Sequence, residues 1–193
     1  LTLIVGSWAA DERFILRNQR AGGYLWSIAS DASRLVTVGT EGRILSSADG
    51  VVWIARSSGT TDWLVGVAYG NGRFIAVGDR GRILTSPTGE TWTTVPNVPT
   101  TARLNNAVFA PRSPGGPTDG IWVAVGEAGT ALVSTDQGST WRSGTTGVTG
   151  WLRGLTSMVT RSYVFAPKGG GTGGLASIRY FAEVSFVATG QGG

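Results

Sequence analysis

Residues 64–93 read LVGVAYGNGRFIAVGDRGRILTSPTGETWT, and residues 25–54 read LWSIASDASRLVTVGTEGRILSSADGVVWI. The two stretches align without a gap at a constant offset of 39 residues, from Leu25 to Leu64. Gly39 falls on Gly78, Gly42 on Gly81, Ile44–Leu45 on Ile83–Leu84, and Trp53 on Trp92. A sequence that repeats itself this way is built from stacked copies of one small unit, and that unit decides the fold.

A third copy starts at Leu104 and runs through WVAVGEAGTALVSTDQGSTW (122–141). Between its first two apolar runs stands PRSPGGPTDG (111–120), whose Pro and Gly content predicts a surface loop. A fourth copy opens with WLRGLTSMV (151–159) and SYVFAP (162–167), then passes into KGGGTGG (168–174). A fifth is read from Leu175 to VATGQGG (187–193), which repeats the paired-glycine turn. Within a copy, short runs rich in Val, Ile and Trp are bounded by Gly, Asn and Asp, the pattern of strands and tight turns. Leu64–Tyr69, Arg73–Val77, Arg82–Ser86 and Trp92–Val95 are the four in the second copy. Four strands per repeat of about 40 residues is the signature of a propeller blade. The expected fold is therefore an all-β propeller of four-stranded antiparallel blades, with three complete and two partial repeats. Their bounds are 24–62, 63–101, 102–149, 150–174 and 175–193.

Each complete copy ends in a distinctive turn. Ser134-Thr135-Asp136-Gln137-Gly138-Ser139-Thr140-Trp141 fits S-x-D-x-G-x-T-W at every position. Ser47–Trp53 is one residue shorter, and Ser86–Trp92 has Thr88 in place of the Asp. Ser and Asp side chains accept backbone N–H bonds in a tight turn, Gly supplies a positive φ, and Trp buries a large ring. This motif resembles the Asp-box, or BNR, repeat of sialidase-like propellers. The wider repeat resembles bacterial Asp-box proteins related to photosystem II assembly factors, over roughly residues 24–193. The resemblance implies that the turn is a structural hairpin between the third and fourth strands. It also implies a non-enzymatic, extracytoplasmic bacterial protein that binds protein partners as a scaffold, assembly factor or accessory subunit of a larger complex. The alternative it carries is a carbohydrate-binding propeller or a relative of the glycoside hydrolases.

The residue inventory narrows the chemistry. There is no cysteine and no histidine, so thiolate or imidazole catalysis and ligation are excluded. No apolar run approaches the length of a membrane-spanning helix. The net charge is +4, carried by fifteen arginines and the single Lys168, with acids interspersed and no basic run to follow a nucleic acid. That arginine bias reflects either genome composition or a use for bidentate recognition. Tyr24, Tyr69, Tyr163 and Tyr180 lack the glutamate partner that a sialidase nucleophile needs. Asp79, Glu127 and Glu41 lie in repeated glycine turns, where solvated structural acids are expected. No catalytic residue, cofactor or metal site is expected.

Binding is expected where the copies differ within a common frame. Tyr24, Trp63, Arg103 and Trp151 precede the repeated Leu of the innermost strand; Trp26, Val65, Asn105 and Arg153 follow it. Aromatics and Arg are the residue types that dominate interface hot spots. The candidate binding residues are Tyr24, Trp26, Trp63, Arg103, Asn105, Trp151 and Arg153, in a ring around one mouth of the channel. The bland reading is that Trp63 and Trp151 wedge between blades. Residues 1–18 either supply two strands that close a five-bladed ring or belong to a preceding blade of a fragment.

Overall fold

The computed structural model describes residues 2–6, 14–18, 23–111, 120–166 and 177–191, with side chains over 23–111, 120–157 and 185–190. Three antiparallel sheets have four strands each. The first contains β3 (Leu25–Ser30), β4 (Leu35–Gly39), β5 (Ile44–Ser47) and β6 (Ile54–Arg56). The second contains β7 (Leu64–Gly70), β8 (Arg73–Gly78), β9 (Ile83–Ser86) and β10 (Thr93–Thr94). The third contains β11 (Leu104–Pro111), β12 (Gly120–Gly126), β13 (Ala131–Ser134) and β14 (Arg142–Ser143). Two further pairs form two-stranded sheets: β1 (Thr2–Gly6) with β2 (Phe14–Asn18), and β15 (Trp151–Ala166) with β16 (Ser177–Gln191). The sheets are blades: each is a meander in sequence order, and the first strands of successive blades touch one another.

Alternation along the second strand of each blade explains the stacking. On β8, Phe74 and Ala76 join Val36, Val38 and Ile44 of the first blade, while Ile75 and Val77 join Leu104, Trp122 and Leu132 of the third. On β12, Trp122 and Ala124 face back to the second blade, and Val123 and Val125 face forward to Leu152 and Phe186. One strand thus serves two interfaces because successive side chains point to opposite faces. Each fully buried residue of this kind contributes about 1.5–3 kcal/mol of hydrophobic stabilisation.

The three terminal turns share one hydrogen-bond scheme. Ser47, Ser86 and Ser134 hydroxyls accept the N–H of Gly50, Gly89 and Gly138 at 2.8, 2.8 and 2.9 Å. The indoles of Trp53, Trp92 and Trp141 donate to the carbonyls of the same glycines. Asp49 Oδ1 accepts from Val51 and Val52, and Asp136 takes the N–H and hydroxyl of Thr140. The turns join third to fourth strands, as expected, but they also pack against the preceding blade. A Cβ on Gly89 would come within 2.6 Å of Val36, and one on Gly138 within 2.2 Å of Ile75.

The partial blades are composed differently from the expectation. The starts read at 150–174 and 175–193 pair with each other, from Trp151↔Gln191 to Ala166↔Ser177. FVATG (186–190) takes the place that LVTVG (35–39), FIAVG (74–78) and WVAVG (122–126) hold in the other blades. It is the second strand of the fourth blade, and Phe186 packs on the third blade as Trp122 packs on the second. β1 pairs antiparallel with β2, from Thr2↔Asn18 to Gly6↔Phe14. Among the described residues neither of these strands pairs with β15 or β16. The expected loop within 111–120 and the glycine tract 168–174 lie, but for Pro111 and Gly120, outside the described residues.

Candidate functional site

Two backbone devices aim the variable residues at one mouth. The first is a register break at the start of every inner strand, between Leu25/Ser27, Leu64/Gly66, Leu104/Asn106 and Leu152/Gly154. The skipped residues are Trp26, Val65, Asn105 and Arg153. A bulge residue leaves the ladder and its side chain is re-aimed, a device common beside functional sites. The second is the paired-glycine turn. The amides of Thr40, Asp79 and Glu127 donate to the carbonyls of Tyr24, Trp63 and Arg103, each at 2.9 Å. The glycine before each amide makes that approach possible: a Cβ on Gly39, Gly78 or Gly126 would stand 1.9, 1.9 or 2.0 Å from the carbonyl oxygen. Gly190 stands against Trp151 in the same way, at 1.7 Å.

The result is a groove of about 430 Å³ lined by Trp26, Trp63, Val65, Arg103, Asn105, Trp151 and Arg153, with Ser27 and Asn106. Six of the seven candidate residues line it; Tyr24 lies beside Trp26, its ring tilted at 36° with centroids 5.8 Å apart. Trp26 stacks on Trp63 at 6.2 Å with a 30° interplanar angle. Two cations lie over tryptophan faces, Arg103 at 5.7 Å from the Trp63 centroid and Arg153 at 5.0 Å from that of Trp151. Such pairs are worth about 0.5–1 kcal/mol at exposed sites and keep each guanidinium in place.

Trp63 and Trp151 are 41% and 45% exposed, and Trp26 is 51% exposed, so part of each ring faces the groove. The reading of the turn acids changes. Arg103 Nε donates to Asp79 Oδ1, and Glu127 Oε1 lies 3.9 Å from the same nitrogen. These two carboxylates fix Arg103, and with Asp62 and Arg80 they line a neighbouring polar cleft of about 390 Å³. Asn105 lines the groove and also ties strands together. Its amide donates to Leu152 O at 2.8 Å, and Asn106 donates to Arg153 O at 3.3 Å, so both clamp adjacent inner strands.

Ser27 and Asn106, which the sequence does not mark, also line the groove, and Asp79 and Glu127, read by sequence only as turn acids, contact its Arg103 from the neighbouring cleft. The only available signal was that Asp79 and Glu127 occupy the turn position held by Thr40 in the first blade. A larger cleft, about 640 Å³, follows the connector Ser57–Thr61 of the first blade. It has no aromatic lining, and its Arg56 is committed to Ser46 and Glu90.

No family model and no curated protein matches this chain. A solved structure described as "YCF48 bound to D1 peptide" matches with a TM-score of 0.57 and 16% identity, covering 70% of this chain and 44% of that one. The matched region is thus less than half of its structural neighbour. At that identity the likeness speaks for architecture, and with the stacked four-stranded sheets it makes this chain a β-propeller in fold.

Proposed function

We propose that this chain is a non-enzymatic, protein-binding propeller that acts as a scaffold, assembly factor or accessory subunit of a larger complex outside the cytoplasm. The observation that carries this reading is the convergence of a Tyr–Trp–Trp row and two Arg–Trp pairs on one groove, delivered by four successive inner strands. Exposed Trp, Tyr and Arg held rigid before binding are the hot-spot chemistry of protein recognition. The structurally similar YCF48 is described with a peptide bound, which supports a polypeptide as the ligand class. The shared turn scheme supports reading the blades as Asp-box repeats.

Affinity purification of the tagged chain from its native source tests the reading. A partner should co-purify with the wild type and be lost from Arg103→Ala/Arg153→Ala at an unchanged melting temperature. Retention of a glycan instead, lost from Trp63→Ala/Trp151→Ala, would replace protein binding with carbohydrate binding.

A further inference from the structure

The described tryptophans divide into chemically distinct groups. In the terminal turns, the indole N–H of Trp53, Trp92 and Trp141 is spent on a glycine carbonyl. In the groove, Trp26, Trp63 and Trp151 have no acceptor for theirs among the described residues, and their rings are exposed. The cations add further donors. Arg153 has no carboxylate partner among the described residues, whereas Arg103 is already held by Asp79. Acceptors are fewer: the Asn105 and Asn106 side-chain oxygens line the groove, while the nearest carboxylates, Asp79 and Glu127, stand in the neighbouring cleft and face Arg103. The groove therefore offers aromatic faces and more N–H donors than acceptors, and fits a ligand richer in acceptors than in donors.

A polypeptide with few N–H groups is a proline-rich one. Proline lacks the amide hydrogen, holds φ near −65°, and leaves its carbonyls pointing outward in a preformed polyproline II helix. Such helices dock on aromatic-lined grooves at small entropic cost. Two residues of that helix advance about 6 Å. The rings of Tyr24, Trp26 and Trp63 follow one another at 5.8 and 6.2 Å, the same step. We infer that the partner reaches this groove through a proline-rich segment in the polyproline II conformation. Its dipeptide repeats lie along the Tyr24–Trp26–Trp63 row, and its carbonyls accept the indole N–H groups. This inference rests on the protein-binding reading and narrows it.

Calorimetric titration with decaproline, together with the indole ¹⁵N–¹H signals of labelled protein, tests it. The expected result is saturable binding that shifts the Trp26 and Trp63 indole signals and leaves those of Trp53, Trp92 and Trp141 in place. Trp63→Ala should weaken that binding about tenfold or more at an unchanged melting temperature. A Gly-Ser peptide of equal length should not bind. Equal binding of the Gly-Ser peptide, or no binding of decaproline, overturns the proline inference. If an acidic proline-free peptide saturates the groove while decaproline does not, this inference falls and the protein-binding reading stands. If only a chito-oligosaccharide binds, both fall.

Discussion

Gly138, in the turn that closes the third blade, lies against Ile75 on the second blade's second strand. A Cβ there would sit 2.2 Å from Ile75 Cδ1, and its φ is +81°. The turn is therefore part of the contact between blades as well as a cap on its own hairpin. Gly138→Ala should lose stability twice, through the left-handed backbone and through overpacking, by about 2–4 kcal/mol in all. Gly59→Ala is the control, because Gly59 has φ +70° but nothing within 4 Å. It should lose only the backbone share, about 1–2 kcal/mol. Urea denaturation of the two variants separates these contributions.

The turn carboxylates make stability acid-sensitive. Backbone N–H groups of Val52 and Val51, with the Ser47 hydroxyl, hold Asp49 below its ordinary value of 3.8. For Asp136, burial pushes the pKa up, but hydrogen bonds from Thr140 and Ser134 outweigh it and the net shift is downward. A carboxyl lowered in the folded state adds stability above the unfolded value, and that stability is lost as pH falls through 3.8 and below. Asp49→Asn/Asp136→Asn should be less stable at neutral pH and show a flatter decline in the acid range. Denaturation midpoints followed below about pH 5 check this window.

Trp122 is fully buried, and its indole N–H has no partner among the described residues. Phe74 fills the equivalent place in the second blade. Trp122→Phe should cost less than about 1 kcal/mol, because relief of an unpaired donor, about 1–3 kcal/mol, offsets the lost packing. Trp122→Ala should cost about 3–5 kcal/mol. A Phe variant as damaging as the Ala variant would show that the indole nitrogen is satisfied.

The blades were legible in the sequence because the frame residues repeat in every complete copy: the paired glycines, the Ser–Gly–Trp turn and the leucine of the third strand. The mouth was legible because the residues flanking the repeated Leu vary within that frame. The bulge that aims Trp26 and Arg153 was not, since a skipped ladder position leaves no compositional mark. Nor was the Arg103–Asp79 contact, which joins neighbouring blades across 24 residues of chain. WLRGLTSMV and SYVFAP each have the length of one short strand, which by sequence alone puts FVATG in a fifth copy. Only the pairing of Trp151 with Gln191 shows that Phe186 stands where Trp122 does.

Binding at the inner-strand mouth is tested by a photo-activated cross-linker placed at Val65, inside the groove, and at Thr91, exposed on the second blade's outer turn. In the native extract, the Val65 probe should give a discrete protein adduct that Trp151→Ala/Arg153→Ala abolishes, and the Thr91 probe should give none. An adduct formed at Thr91 with none at Val65 would move binding to the blade periphery and contradict the assignment of the groove.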